Sequence, residues 1–412
     1  MCKPFILPLV FFLFIFSCDE KEDVRLGPKE IKLSAQQVEI IEGANRFGLD
    51  LFREILDSEP ADENVFISPL SVHLALSMAW NGAREKTSEQ MAAVMNYPDH
   101  DQEEINSSIS KLINDLLSVD PGIETGIANS VWYRRGFNVE RNFLDIVSEY
   151  FDALVKDLDF DDPSSVDVIN GWVADKTRNR IEGIVDRIDP DHVMFLINAI
   201  YFKGIWSTEF VPEETRERPF YLSPGEPVDV LTMETEGEFG YAERDGYRVV
   251  ELPYGRGNYS MLLFLPDEDV GTGGMQQRLT AEEWKSLTSV PESKRNVNIR
   301  LPRFSFEYET VLNVPLSNLG MKDAFVPRVA DFSGISRNDD LHVSRVRHKS
   351  FVEVNEEGTE AAAVTSVEIR VVSYDPDEKP VTLFHVDRPF LMVIKEKYTN
   401  SIVFTGRISN PI

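Results

Sequence analysis

The chain has 412 residues, of which 42% are hydrophobic and 27% charged, as is ordinary for a soluble globular protein. Its formal net charge of −28 argues against a nucleic-acid partner, because phosphate binding needs clustered lysine and arginine side chains. No internal repeat, low-complexity segment or proline- and glycine-rich linker divides the chain. We therefore predict one large α+β domain over residues 34–412, although the length alone would allow two or three domains.

The first residues are a targeting segment. An apolar run from Phe5 to Phe16 follows one lysine and is too short to span a membrane, so residues 1–17 are interpreted as a signal peptide. The end of the run, with Ser17 and Cys18, resembles a bacterial lipobox, which implies that Cys18 becomes lipidated. The only other cysteine is Cys2, so the mature chain would keep Cys18 alone. Plain secretion is the alternative.

Residues 18–33 are predicted to be the lipidated cysteine and an acidic tether. Asp19–Asp23 is charged throughout and resembles the surface-export signal of Bacteroidetes lipoproteins. We expect an exported outer-membrane or cell-surface lipoprotein that meets the membrane only through this anchor, or else a secreted protein.

Four motifs mark helix starts. Ser34 and Gln37 form a capping box, and Ser68 precedes a proline at a first helical position. Capping pairs also occur at Thr87 with Gln90 and at Thr280 with Glu283. Helices are predicted after each motif and, from apolar periodicity, at Glu103–Leu117, Glu140–Tyr150 and Val166–Arg180.

Strand-like runs are interleaved with these helices. Residues 193–202 are almost continuously apolar, as expected for a strand buried on both faces. Two further runs flank residues 255–258 and predict a hairpin. Strands are also predicted at 296–309, 350–357, 383–396 and 401–408.

Catalytic signatures are missing from the sequence. The six histidines have no metal-ligand spacing, and the glycines at 255–257 and 271–274 are interpreted as a turn and a flexible loop. Asn106 and Asn258 begin glycosylation sequons that we interpret as incidental. We predict no catalytic residue, no metal site and no cofactor.

The stretch Thr359–Ile369 has the residue pattern of a half-buried strand, although it lies where a loop is expected. Alternate residues fall into a small or apolar face (Thr359, Ala361, Ala363, Thr365, Val367, Ile369) and a face that carries every charge (Glu360, Ala362, Val364, Ser366, Glu368, Arg370). Gly358 gives a permissive backbone at its start. A resident strand would show the same periodicity.

This stretch resembles the hinge and reactive loop of the serpins, and the resemblance covers essentially the whole domain. The motifs that carry it are Asn64–Ser71, Asn198–Trp206, Leu301–Phe304, Leu319–Met321, Ala324–Phe325, Asp331–Ser333, Asp387–Phe390 and Phe404–Pro411.

The resemblance implies a serpin fold: a dominant central β-sheet, smaller sheets, about eight to nine helices and an exposed reactive-centre loop near 356–380. It implies a monomeric inhibitor whose partner is a serine-type, or also a papain-like cysteine, endopeptidase. The protease cleaves the loop and is trapped as an acyl-enzyme while the loop inserts into the central sheet. A non-inhibitory serpin, acting as a binding module or decoy substrate, is the alternative.

Site residues follow from the same resemblance. The hinge is Glu356, Glu357, Gly358, Thr359, Glu360, Ala361, Ala362 and Ala363. The polar cluster under the opening point of the sheet, called the shutter, is Ser68, Ser71, Asn198 and His348. For His348 the alternative is a hydrogen-bonded core residue with no role in opening the sheet. The breach, where insertion starts, contains Trp206 and Glu356.

The reactive bond is predicted by counting. In inhibitory serpins the hinge glutamate usually lies seventeenth before the cut, and counting from Glu356 gives Val372–Ser373. Val372 suits an elastase-like protease, and the alternatives Arg370 and Tyr374 suit trypsin-like and chymotrypsin-like enzymes.

Overall fold

The structure is a computed structural model that describes residues 27–97, 99, 101–290, 294–359 and 380–412. Nine α-helices lie in these ranges: α1 (Ala35–Ser58), α2 (Pro69–Gly82), α3 (Glu85–Val94), α4 (Gln102–Ser118), α5 (Arg141–Phe151), α6 (Ser164–Lys176), α7 (Gly271–Arg278), α8 (Ala281–Leu287) and α9 (Asn313–Leu319). Two 3₁₀ turns, Pro212–Glu214 and Asp323–Phe325, accompany them.

Fifteen strands lie in the same ranges. They are β1 (Val65–Ile67), β2 (Ile123–Arg134), β3 (Leu154–Leu158), β4 (Met194–Ile205), β5 (Arg216–Ser223), β6 (Glu226–Arg244), β7 (Tyr247–Tyr254), β8 (Tyr259–Pro266), β9 (Arg295–Pro302), β10 (Phe304–Val311), β11 (Arg347–Val354), β12 (Gly358–Thr359), β13 (Thr382–His385), β14 (Phe390–Glu396) and β15 (Ile402–Ile408).

The central sheet has the order β10-β11-β12-β4-β2-β3. Its long inner pair, β2 and β4, is antiparallel over eleven residues, from Ile123 opposite Gly204 to Tyr133 opposite Met194. Between β4 and β11 stands only the two-residue strand β12, and no direct ladder joins β4 to β11 in the part of the chain that the structure describes. The sheet is therefore two halves joined at one end.

The second sheet has the order β1-β15-β14-β8-β7-β6-β9-β13, with β5 paired to the start of β6. The 19-residue strand β6 joins its two parts, because it pairs with β5 over residues 226–232, with β9 over 232–239 and with β7 over 240–244. Strands β8, β14 and β15 are buried at every position, so they form the interior wall of the molecule.

Helix α2 fills the space between the two sheets. It buries every residue except Ala75, as expected for a helix that is apolar on all sides. A second, smaller core lies on the opposite face of the central sheet, where α6 packs through Ile169 and Val173 against Trp132, Ile197 and the partly buried Phe351.

Several predicted helix starts are confirmed. Both hydrogen bonds of the Ser34–Gln37 capping box form, Ser68 accepts from the Ser71 amide, and Thr280 accepts from the Glu283 amide. The cap predicted at Thr87 is wrong. Helix α3 begins at Glu85, and Thr87 lies inside it, where its buried hydroxyl accepts a hydrogen bond from the Asp331 amide at 2.9 Å.

Two other helix predictions need correction. Helix α6 ends at Lys176 and not at Arg180, because Arg178 and Asn179 adopt positive φ angles of 51° and 60° that stop a helix. The glycines at 271–274 begin α7 instead of a flexible loop, because the fully buried Met275 fixes this segment against the core despite the poor helix propensity of glycine.

Two predicted strands are each two strands in different places. The stretch 296–309 breaks at Arg303 into β9, which pairs with β6 and β13, and β10, which pairs with β11. The stretch 383–396 likewise breaks after His385 into β13 and β14. The hairpin around 255–258 is confirmed as β7 and β8. No helix of the described residues is long and apolar enough to cross a membrane.

Candidate functional site

Two residues of the predicted hinge, Gly358 and Thr359, form a strand of the central sheet. Gly358 pairs with Ile205 and Thr359 with Gly204 on β4, and Thr359 also pairs with Val354 on β11. Both residues of β12 are buried. The structure therefore places the start of the hinge between the two halves of the sheet.

Gly358 is required for a different reason from the permissive bend that we expected. A Cβ atom at this position would lie 2.0 Å from the carbonyl oxygen of Gly204 and 2.9 Å from the Ile205 Cα. Both neighbours are backbone and cannot swing away. The residue is glycine because two strands approach closely here.

Thr359 points into the molecule. It is 4% exposed, and its Oγ1 lies 2.6 Å from the Tyr254 hydroxyl at the end of β7. Burial raises the pKa of Tyr254 far above its usual range, so this hydroxyl stays protonated and can donate or accept. The contact fixes the first inward side chain of the hinge.

A tight turn leads from β11 into the hinge. The Asn355 Oδ1 accepts hydrogen bonds from the Glu357 and Gly358 amides at 3.1 and 3.2 Å, and the Asn355 amide donates to the Gly358 carbonyl at 2.9 Å. The sequence analysis did not single out Asn355, although asparagine at the start of a turn is a recognisable signal.

The two predicted breach residues lie together on this turn. Trp206 donates from Nε1 to the Asn355 carbonyl at 3.0 Å and from its amide to the Glu357 carbonyl at 2.8 Å, and its ring stacks on Tyr254 at 4.3 Å. Glu356 accepts from the Thr215 hydroxyl at 2.6 Å and faces Arg303 at 3.5 Å. The sequence analysis did not single out Tyr254 or Thr215, the partners of these two residues.

The four predicted shutter residues are also brought together, around the first turn of α2. The Ser68 amide donates to His348 Nε2 at 3.1 Å, and the Ser68 hydroxyl accepts from the Ser71 amide. The Ser71 hydroxyl donates to Asn198 Oδ1, and Asn198 in turn donates to Asn129 at 2.7 Å. All four side chains are buried.

His348 is neutral in this cluster. Burial lowers its pKa to about 4, and because its Nε2 accepts from the Ser68 amide, the ring proton must be on Nδ1. His348 on β11 is therefore bonded by Ser68, the N-cap residue of α2, and Asn198 on β4 is bonded by Ser71 in α2; the two lie on opposite sides of the space between the strands.

A cavity of about 700 Å³ occupies that space. Its walls are the starts of β4 and β11, its floor is the apolar face of α2 around Val72 and Leu76, and the segment 184–193 covers one side. Asn198 and His348 line it. We call this space the groove.

One group in the described residues has atoms close enough to share a metal ion: Asp189, Asp191 and His192. However, His192 Nδ1 accepts a hydrogen bond from the Asp189 amide at 3.1 Å, so the ring proton is on Nε2. Neither ring nitrogen then offers a free lone pair, and the group carries no metal-site assignment.

The remaining predicted residues lie outside the described residues. They are Cys18, the hinge residues Glu360, Ala361, Ala362 and Ala363, and the candidate reactive residues Arg370, Val372, Ser373 and Tyr374.

The two sequon asparagines are inside the protein. Asn106 is 1% exposed and exchanges hydrogen bonds with Asn81, and Asn258 is fully buried. Both side chains are engaged in hydrogen bonds inside the fold.

The fold and site together define an α+β protein with a central sheet that one of its own loops begins to enter. The family model for Serpin (serine protease inhibitor) matches residues 42–411. The chain is 37% identical over 381 residues to Iripin-2 of Ixodes ricinus, covering 91% of this chain and 94% of that protein. It is 36% identical over 390 residues to the leukocyte elastase inhibitor of Bos taurus, covering 91% and 100%.

Among solved structures, the native state of the thermophilic serpin tengpin superposes with a TM-score of 0.82 at 32% identity, covering 94% of this chain and 98% of that one. The chain belongs to the serpin family, whose members are generally protease inhibitors. The serpin fold predicted from the sequence is confirmed.

Proposed function

We propose that this serpin is a suicide-substrate inhibitor: a protease cleaves its loop, and the loop then inserts into the groove and traps the acyl-enzyme. The observation that carries this proposal is strand β12. Gly358 and Thr359 already occupy the position between β4 and β11 that a longer inserted strand would take. Insertion would continue a ladder that has begun.

The observed register favours the same mechanism. Continued along both neighbours, it would place residue 365 opposite Asn198 on β4 and opposite His348 on β11. Residue 365 is a threonine, and because it lies an even number of residues after Thr359, its side chain would face inward in an inserted strand as that of Thr359 does. An inserted loop would thus put a hydroxyl between the two polar shutter residues and small side chains, Ala361 and Ala363, before it.

Insertion is also favourable energetically. Each residue that enters gains ladder hydrogen bonds worth about 0.5–1.5 kcal/mol apiece, and its inward apolar surface contributes about 25 cal/mol per Å² against the α2 side of the groove. The chain therefore has a free-energy source for displacing a bound protease.

We propose an elastase-like target and Val372–Ser373 as the reactive bond. The relative named leukocyte elastase inhibitor, 36% identical to this chain, supports this class of enzyme. Cleavage after Arg370 would indicate a trypsin-like target, and cleavage after Tyr374 a chymotrypsin-like one. Papain-like cysteine endopeptidases belong in the same test.

The test mixes the protein with a panel of purified proteases and separates the products in boiling detergent. An inhibitor leaves a covalent complex with an elastase-like enzyme, and mass spectrometry of the released peptide should show a new N-terminus at Ser373. An N-terminus at Val371 or Asp375 moves the bond to the alternatives. Clean loop cleavage without any complex in the whole panel would instead support a decoy substrate or binding module.

We further propose that the protein is a monomer held at the outer membrane or cell surface by lipid on Cys18, after removal of residues 1–17. The lipobox-like end of the apolar run supports this placement. Secretion without an anchor is the competing outcome.

A further inference from the structure

The described chain begins with a short segment, Gly27–Leu33, that is not a free tether. The Lys29 amide donates to Asn258 Oδ1 at 2.8 Å, and Asn258 Nδ2 donates back to the Lys29 carbonyl at 2.8 Å. The Tyr398 hydroxyl reaches the Pro28 carbonyl at 3.4 Å, and Ile31 is buried. We call this segment the N-terminal clamp.

The side chain of Asn258 is held in place to bind this clamp. It is fully buried, and its Nδ2 also donates to Glu396 Oε1 at 3.1 Å. Glu396 is itself fully buried and accepts from the Tyr398 and Thr399 amides, so it holds the Asn258 amide in one orientation. The asparagine side chain is therefore pre-positioned to bind an extended backbone.

Asn258 belongs to the turn between β7 and β8, and the other side of this turn contacts the hinge end of the central sheet. Within the turn, the Gly255 amide donates to the Ile205 carbonyl at 2.8 Å. The Ser207 amide donates to the Pro253 carbonyl and its hydroxyl to the Gly255 carbonyl, both at 2.8 Å. Ile205 is the residue that pairs with Gly358.

The distance between the two contacts is short. Tyr254, which holds Thr359, lies four residues before Asn258, and four residues span at most about 14 Å. The turn is tight, because Gly255 and Gly257 adopt positive φ angles of 49° and 89° and a third contact, from the Arg256 amide to Asp120, fixes its middle. The turn is thus held on the clamp side, in its middle and on the hinge side.

We propose that Asn258 is a positioning residue for loop insertion, and that the N-terminal clamp controls through it how firmly the hinge is held at the breach. Occupied by the clamp, the turn keeps Ile205, Ser207 and Tyr254 in place around Gly358 and Thr359. Released, the turn loosens, and the breach opens more often. The consequence for protease trapping rests on the proposed function, whereas the coupling between clamp and hinge does not.

The experiment compares Lys29→Pro with Lys29→Ala in the otherwise intact chain. Proline removes the amide that donates to Asn258 and also fixes φ at this position, whereas alanine keeps the amide; the Lys29 side chain is exposed, so its loss is common to both variants. Hydrogen exchange is measured at the amides of Gly255 and Trp206, and helix α9 is the distant reference.

We expect Lys29→Pro to speed exchange at Gly255 and Trp206 by about tenfold relative to Lys29→Ala, the size of effect that the loss of one partly buried hydrogen bond would have. Exchange in α9 should not change. A chain that begins at Ser34 lacks the clamp altogether and should reproduce the effect. Equal exchange rates in the two Lys29 variants would overturn the proposal. So would an increase in exchange at α9 as large as that at Gly255 and Trp206, or unchanged exchange in the chain that begins at Ser34.

Trapping assays on the same variants add the functional arm. We expect Lys29→Pro, but not Lys29→Ala, to change the ratio of covalent complex to cleaved inhibitor. Faster exchange in Lys29→Pro, together with no covalent complex from the unsubstituted chain, would leave the coupling intact and refute the proposed inhibition. Trapping without any change in exchange would refute the coupling alone.

Discussion

The inward orientation of Thr359 gives a direct test of loop insertion. Thr359→Arg would place a cation at a position that is 4% exposed, between β4 and β11, where the Thr359 hydroxyl contacts that of Tyr254. An unpaired buried charge costs several kcal/mol, which is more than the few hydrogen bonds of β12 can offset. The variant hinge should therefore leave the sheet, and insertion past this point should fail.

The expected phenotype is conversion from inhibitor to substrate. The loop of Thr359→Arg should be cleaved at the normal rate but form little covalent complex, and both products are resolved on a denaturing gel. Normal cleavage also shows that the variant is folded well enough to be recognised. Undiminished trapping by Thr359→Arg would refute both the inward assignment and the proposed mechanism.

The matched control is Thr359→Val, which keeps the β-branched shape and removes only the hydroxyl. It should leave the buried Tyr254 hydroxyl without a partner, at a cost of about 1–3 kcal/mol in the free energy of unfolding. Adding Tyr254→Phe should recover most of this loss, because both polar partners are then absent. A double variant whose loss equals the sum of the two single losses would show that the 2.6 Å contact contributes nothing.

Three further predictions concern other parts of the chain. Burial lowers the pKa of His348 to about 4, so the native state binds fewer protons than the unfolded state between about pH 6.5 and 4. As the pH is lowered through this range, the free energy of unfolding measured in urea should fall by about 1.4 kcal/mol per pH unit because of this group. His348→Gln should reduce that slope. Cys18→Ala should move the protein from membranes to soluble fractions, and an unchanged membrane fraction would count against lipidation. Thr365→Val should lower the yield of covalent complex, whereas Ser366→Val, on the outward face, should not; equal effects would show that the register does not continue as proposed.

The features that the sequence predicted well are local. The caps at Ser34, Ser68 and Thr280 form because donor and acceptor lie within three residues of each other, so tertiary structure has little chance to redirect them. Thr87 has the same pattern, but its hydroxyl is taken by the amide of Asp331, 244 residues away. Nothing in the sequence near Thr87 signals that competition.

Long-range partners explain most of what the sequence left out at the site. Trp206 and Glu356 were found through family motifs, but their partners are distant in the chain: Tyr254 ends β7, and Thr215 lies just before β5. Asn258 was interpreted only as an incidental sequon, although it is a buried hydrogen-bonding centre. Its role depends on a segment 229 residues earlier in the chain, which no local pattern can indicate.

The buried polar shutter residues have a physical reason that the groove makes clear. A buried donor or acceptor that loses its partner costs about 1–3 kcal/mol, so two strands that bonded to each other through side chains would resist separation. Here Asn198 on β4 is bonded by Ser71 of α2, and His348 on β11 is bonded by the amide of Ser68, the N-cap residue of α2. The strands can therefore stand apart without leaving these contacts unmade. Helix α2 thus keeps each half of the sheet satisfied on its own, which is the condition for a sheet that must admit another strand.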